Sequence, residues 1–380
     1  MSKINDLINE LCHNGVEYKQ LQEIADTFIG LATSVTKHKS SEGVILLHNS
    51  DIKQNKIVLK NIEFIDKSFA DKNINKYYQF HDIATVHTGD VGTSAVIEED
   101  YVGSMGFTTL VTRIYNFDYV NPYYLCHYFN SQLFKNAVAK VTISDRSNLN
   151  QKEFCQLIIP IPPLEIQEEI VRILDKFGEL EAELEAELEA RKSQYEFWRG
   201  KLLNNEKYES VKINDIAYNV SSGKCNSRNE DGVYPVYGST GIIARTDEYL
   251  YETEKILIAR VGANAGYVHI ANGKYNVTDN TLILDLKDNV DLRFMYYYLQ
   301  NYNLNKLAKG GGQPLITGGQ IKDLDICLPP IQEQKRISNI LDKFDKLIND
   351  ISEGIPAEIE FRRKQYEYYR NMLLSFEEVS

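Results

Sequence analysis

Seven short segments of the chain gather side chains that can donate and accept several hydrogen bonds at once. In the first half they are residues 33–41 (TSVTKHKSS), with Thr36, Lys37 and Lys39; residues 87–94 (HTGDVGTS), with Thr88 and Thr93; and residues 142–150 (TISDRSNLN), with Ser144, Arg146 and Asn148. In the second half they are residues 221–228 (SSGKCNSR), with Lys224, Asn226 and Arg228; residues 237–240 (YGST), with Tyr237, Ser239 and Thr240; residues 260–264 (RVGAN), with Arg260 and Asn264; and residues 309–313 (KGGGQ), with Lys309 and Gln313. Arg, Lys, Asn, Gln, Ser and Thr match the donor and acceptor pattern of base edges, while cations, hydroxyls and backbone N–H groups hold phosphates. The glycines of residues 87–94 allow the backbone itself to come close to a phosphate. Together the loops point to contact with double-stranded DNA, although each residue alone also fits an ordinary solvated loop.

No comparable constellation supports catalysis. Asn121-Pro122-Tyr123-Tyr124 resembles the N-P-P-Y signature of amino-methyltransferases, but it lacks the second proline and a glycine-rich cofactor loop upstream. Lys309-Gly310-Gly311-Gly312 and Gly223-Lys224-Cys225 lack the remainder of a phosphate-binding P-loop. The seven histidines show no metal-ligand spacing such as H-E-x-x-H. The five cysteines (Cys12, Cys126, Cys155, Cys225 and Cys327) form no C-x-x-C pair, which argues against zinc and against a disulfide framework, and they read as reduced, mostly buried thiols. The expectation is a non-catalytic chain that binds no metal and no cofactor of its own.

The elements that position these loops are written twice. Residues 162–177 (PPLEIQEEIVRILDKF) and 329–344 (PPIQEQKRISNILDKF) match at an offset of 167 and end in the same pentad, ILDKF. Residues 191–203 (RKSQYEFWRGKLL) likewise match residues 362–374 (RRKQYEYYRNMLL). A repeat of this length fixes the architecture. Each double proline sits where a helix begins, since the first helical N–H groups have no partner to lose. A heptad-like seam follows, through Ile170, Ile173, Phe177, Leu180 and Leu184 in the first copy and Ile337, Ile340, Phe344, Leu347 and Ile351 in the second. Such a seam needs a partner helix, and about 40 residues at 1.5 Å each is roughly 60 Å, too long for most domain cores. Four extra residues in the second copy, near Gly354 to Ala357, read as a stutter that local unwinding accommodates. Before each helix the chain also repeats itself more faintly. Glu23-Ile24-Ala25 parallels Asp215-Ile216-Ala217, Thr109-Leu110-Val111 parallels Thr281-Leu282-Ile283, and residues 121–131 parallel residues 291–301 as an aromatic-faced helix. The expected plan is module 1–158, helix 159–205, module 206–327, helix 328–380. The fold class is α/β, with two globular α/β domains separated by two long helices that pair as an antiparallel coiled coil in a pseudo-two-fold repeat.

The net charge of −12 opposes an unaided DNA binder, and five of those charges fall on residues 159–205. Nearly balanced modules can still carry a local basic face, but a partner that supplies phosphate contacts would be needed for strong binding. No run of 18 apolar residues is present and residues 1–10 have no signal-peptide core, so the expectation is a cytoplasmic protein without membrane contact.

The two helix starts, IPIPPLEIQEEIVRILDKF and ICLPPIQEQKRISNILDKF, the opening MSKINDLINELCHNGVEYKQLQEIA and the segment YPVYGSTGII resemble the specificity subunits of type I restriction–modification systems over essentially the whole chain. The tandem ELEAELEAELEA at residues 179–190 resembles the spacer repeats of some members, and equally suits a solvated helix of strong helix formers. The resemblance implies two target-recognition domains, each reading one half of a split site. It also implies an antiparallel helix pair that docks two methyltransferase subunits, with restriction–translocation subunits joining that core. S-adenosylmethionine and ATP would then be used by the partners. The first module has no clear YGSTG match, which leaves its contacts unplaced. Two other readings stay open on the residues alone: the recognition subunit of a related non-type-I modification system, and a coiled-coil scaffold that binds only proteins.

Overall fold

The computed structural model describes residues 6, 8, 10–12, 14–32, 34–141, 149–204, 207–310 and 314–378. The chain divides into two compact units, Met1–Glu183 with Ile359–Ser380, and Leu184–Glu358. Each unit therefore contains a globular module, half of the long helix Leu164–Leu203, and one helix of the second repeat.

The same fold is built in both. In the first, an antiparallel sheet runs in the order Ala25–Ile29, Thr109–Ile114, Ile83–Val86, Ser94–Val96. In the second, the order is Ala217–Ser222, Thr281–Leu286, Lys255–Ala259, Val268–Ala271. The central strands are buried almost throughout, which accounts for the apolar runs TLVTRI and TLILDL. A two-stranded ladder closes each module, Glu17–Gln20 on Ile158–Ile161 and Ser210–Lys212 on Asp325–Cys327.

The helix that follows each central strand starts at a polar cap. Asn121 accepts hydrogen bonds from the N–H groups of Tyr123 and Tyr124, and Asp291 from that of Phe294. Asn121-Pro122-Tyr123-Tyr124 is thus a helix start with proline in the first turn. Each cap is fastened to the start of its long helix by a fully buried glutamine. Gln167 Oε1 accepts from the Asn121 N–H at 2.8 Å while its Nε2 donates to the carbonyls of Pro162 and Tyr119. Gln334 accepts from the Asp291 N–H at 2.8 Å and donates to the Pro329 carbonyl at 2.7 Å. The aspartates of the two ILDKF pentads, about two turns further along each long helix, hold the same aromatic helix, Asp175 against His127 and Asp342 against Tyr297.

The helix seam is partly as the heptads suggest. In the first unit Phe177 stacks on Tyr366 and Tyr369, and Glu181 pairs with Arg363 at 2.6 Å, so the two helices run antiparallel. In the second unit Tyr195 meets Phe344. Ile170 and Ile337 are buried deeper than a two-helix seam requires, because they sit in the cores of their modules together with Leu174 and Leu341. Ile173, Ile340, Leu180 and Leu184 are half-buried.

The second repeat departs from the expectation. Its helix is broken into Ile331–Asn349 and Ile355–Leu373 rather than unwound, and Leu347 and Ile351 leave the seam, Ile351 at 86% exposure. The residues between end one helix and start another. The Asp350 carboxylate accepts from the N–H groups of Ser352 and Glu353, and Pro356 can only sit in a first turn. At Gly354 a Cβ would lie 2.6–2.8 Å from the carbonyl oxygens of Lys346, Leu347 and Asp350.

All five cysteines are unpaired, Cys12 and Cys126 buried and the other three half-buried. Among the described residues no group of three or more His, Cys, Asp or Glu side chains could hold a metal ion, and no helix is long and apolar enough to cross a membrane.

Candidate nucleic-acid interface

The predicted loops gather at one end of each core sheet, joined by the same backbone hydrogen bonds in both units. The first sheet strand ends at Gly30 or Gly223, whose N–H groups donate to Thr109 O and Thr281 O. Glycine is required there, since a Cβ would lie 2.2 Å from the carbonyl oxygen of Gly106 or of Val277. The polar segment 33–41 begins three residues beyond Gly30, and segment 221–228 runs through Gly223. The loop between the last two sheet strands comes next, residues 87–93 in one unit and 260–267 in the other. It accepts one bond from the stretch that precedes the final ladder strand, from Leu149 N–H to His87 O and from Ile316 N–H, three residues beyond segment 309–313, to Arg260 O. Leu149 and Ile316 are 167 residues apart, the offset of the helix repeat.

In the second unit three of the four predicted segments meet residues 277–281, and the fourth is tied to one of them. Cys225 N–H donates to Val277 O, Thr278 N–H to Tyr237 O, and Arg260 N–H to Asn280 O. Lys309 and Leu315 exchange a pair of backbone bonds, and Leu315 bridges to Val261, which ties the glycine-rich segment to the arginine loop. Lys224, Asn226, Arg228, Thr240, Asn264 and Lys309 are exposed, while Tyr237, Ser239 and Arg260 are half-buried. Tyr237 stacks on His269 and meets Tyr275 edge-on, so its ring is held in place. Arg260 Nη1 reaches the Asp279 carbonyl at 3.4 Å, and its buried Nε has no hydrogen-bond partner among the described residues. Neither ring nitrogen of His269 has one either, and burial pushes this imidazole down to about 4. Gln313 lies outside the described residues.

In the first unit Thr36, Lys37, Lys39 and Thr88 are exposed. Lys39 pairs with Glu63 at 2.6 Å, and Thr88 Oγ1 lies 2.8 Å from His87 Nδ1, whose ring is pulled below the usual imidazole range by burial. Thr93 corrects the expectation: it is buried and its hydroxyl donates to Asp90 Oδ2 at 2.7 Å, so the side chain fixes the loop instead of facing outward. Ser144, Arg146 and Asn148 lie outside the described residues.

The structure also supplies the missing counterpart of the YGST turn. Strand Tyr234–Gly238 pairs in parallel with Asn276–Val277, and strand Val44–Leu47 pairs in parallel with Met105–Gly106. Phe107 N–H donates to Leu47 O as Thr278 N–H donates to Tyr237 O. Residues 48–51 (HNSD) therefore occupy the place of residues 238–241 (GSTG), with no shared residue to reveal it. Residues 277–280 were also missed, and their signal was their position just before the repeated strand.

The type I restriction modification DNA specificity domain matches the chain twice, over residues 13–190 and 205–361. The chain belongs to this family. The two matches fall one on each repeat. The specificity subunit of the Escherichia coli type I restriction enzyme EcoprrI is 29% identical, over 89% of this chain and 90% of its own length. The putative type I specificity subunit S.MpnORF365P of Mycoplasma pneumoniae is 32% identical over 60% of this chain and 90% of its own length. Among solved structures, a chain from a study of assembly and conformational transition in a type I R-M system superposes with a TM-score of 0.68 at 16% identity, covering 95% of this chain and 97% of that one. The HsdS subunit of Thermoanaerobacter tengcongensis gives 0.56 at 17% identity, covering 95% and 96%. The two structural likenesses bear on the fold. The family matches make this chain a DNA-specificity subunit of a type I restriction–modification system.

Proposed function

We propose that this subunit reads a bipartite double-stranded DNA site, with one module on each half. Residues 1–158 and 206–327 are the two target-recognition domains, and residues 159–205 and 328–380 the helical spacers. Two methyltransferase subunits dock on the repeated helices, restriction–translocation subunits join them in the cytoplasm, and S-adenosylmethionine and ATP are bound by those partners. The chain itself selects the site and carries out no chemistry. The observation that supports this reading is the duplication of the loop cluster down to single backbone bonds, Leu149 to His87 and Ile316 to Arg260. A scaffold that bound only proteins would have no need of two equivalent polar ends on two separate sheets.

The net charge of −12 makes strong DNA binding by the isolated chain unfavourable, because affinity for the duplex follows the number of phosphates neutralised. The reconstituted complex should therefore retard a duplex carrying its site at concentrations where the isolated chain does not. Native mass spectrometry should find two methyltransferase subunits per chain at saturation. A saturated one-to-one complex, or sequence-specific binding by the methyltransferase alone, would contradict the proposal.

A further inference from the structure

The two modules differ at one place in the reading end. In the second, the turn at residues 238–241 leads straight into strand Gly241–Thr246, which pairs back on Tyr234–Gly238. In the first, the strand that pairs back on Val44–Leu47 is Phe64–Ile65, so the short turn is replaced by the whole stretch from residue 48 to residue 63. That stretch contains a two-stranded hairpin, Ile52–Lys53 with Lys56–Ile57, whose turn is Gln54-Asn55.

Three properties of this insertion go together. Its middle is basic, since residues 52–62, between Asp51 and Glu63, hold Lys53, Lys56 and Lys60 and no acid, in a chain whose net charge is −12. All three lysines are exposed, as is Gln54. It is also rigid. Asn55, at φ +58, anchors the hairpin tip by its Nδ2, which donates to Tyr366 Oη at 2.9 Å, and by its Oδ1, which accepts from Asn130 Nδ2 at 2.7 Å. Its N–H donates to Ser94 O. The turn before the hairpin is closed by Asp51, whose carboxylate accepts from the His48 N–H. Finally, it borders a cleft of about 290 Å³ that Thr88, Asp90 and Lys135 also line, and the buried Asn49 Oδ1 there has no hydrogen-bond partner among the described residues.

We infer that residues 49–56 are a DNA-reading element of the first module, with Gln54 reading a base edge, Asn49 lining the cleft beside it, and Lys53 and Lys56 holding phosphates. The inference rests on the proposal that this module reads one half-site. The exposed Gln54 presents the paired donor and acceptor that suit adenine N6 and N7, so the half-site read here contains an A·T pair within reach of the hairpin. Lysines on a hairpin with an anchored tip set register on the backbone without carrying sequence information. Holding the tip in place removes part of the ordering cost that a free loop would meet on binding.

The test uses the complete methyltransferase–specificity complex, with methylated sites mapped across a genome and binding to the native duplex titrated against salt. Gln54→Ala should relax one base pair in one half of the motif, with roughly 5- to 150-fold less discrimination there, and leave the other half intact. Lys53→Ala with Lys56→Ala should keep the motif, weaken binding to all sequences alike, and flatten the slope of log K against log salt by about 1.8. If the first variant lost both halves, the lysine pair would decide, since a flattened slope supports the assignment and an unchanged slope overturns it. An unaltered motif in the first variant with an unaltered slope in the second overturns it outright while the bipartite reading stands. A native complex without sequence preference would overturn both.

Discussion

The buried glutamines that fasten each module to its helix allow a quantitative comparison within one molecule. Replacing Gln with Met keeps the volume nearly constant and removes the hydrogen bonds, so the loss isolates the polar part. Gln167→Met leaves the Pro162 carbonyl buried without a partner, and also the partly buried Asn121 N–H and Tyr119 carbonyl. Gln334→Met leaves the Pro329 carbonyl buried and the Asp291 N–H partly buried. With about 2 kcal/mol for a fully buried orphan and about 1 for a partly buried one, the costs are about 4 kcal/mol for the first and about 3 for the second. Urea unfolding should show both. Trp198, the only tryptophan, lies in the second unit and reports the second variant by fluorescence, while circular dichroism follows the whole chain. A Gln334→Met protein within 1 kcal/mol of the native chain would refute the reasoning, as would one that lost clearly more stability than Gln167→Met.

Three further outcomes follow from the same coordinates. His269 takes up a proton near pH 6.5 when unfolded but only near pH 4 when folded, so the unfolded state binds more protons between these values. Stability of the second unit should be full above pH 6.5 and decline as pH falls toward 4, by at most about 3 kcal/mol, and His269→Phe should flatten that slope in urea titrations at pH 7 and pH 5. Phe177→Asp places a charge between Tyr366 and Tyr369 and should cost about 3 kcal/mol or more, whereas Ile351→Asp, at an exposed position, should stay within about 0.5 kcal/mol; equal melting temperatures for the two would refute the seam as described. Deleting Glu183 to Ala186, one unit of the ELEA tract, shortens a continuous helix by roughly 6 Å and turns its far end by only about 40° beyond a full rotation, so the gap between half-sites should change by about one or two base pairs with the bases themselves unaltered. Methylation mapping that returned an active complex with an unchanged gap would contradict the ruler.

Much of the architecture was legible because it is written twice. The offset of 167 gave the helix starts, and the fainter parallels gave the aromatic-faced helices of residues 121–131 and 291–301 and the paired central strands, since periodic apolar residues act locally. The break in the second repeat was also signalled locally, by Asp350, Gly354 and Pro356, but the heptad spacing through Leu347 and Ile351 masked it. Gln167 and Gln334 were invisible as clamps because the cap groups they hold are backbone N–H groups more than 40 residues away. The likeness between HNSD and GSTG was invisible for another reason: the two turns share a pair of parallel strands, which is a property of topology and leaves no mark on residue identity. Thr93 shows the limit of residue type as a guide, since a threonine that holds a loop and one that faces a ligand look the same in sequence.

The most direct measurement exchanges residues 206–327 for the corresponding module of a relative with a different site and maps methylated adenines in cells that carry the hybrid complex. The account predicts a hybrid motif in which one half is unchanged and the other is the relative's. Alteration of both halves, or an unchanged motif, would contradict the claim that each module reads its own half of the site.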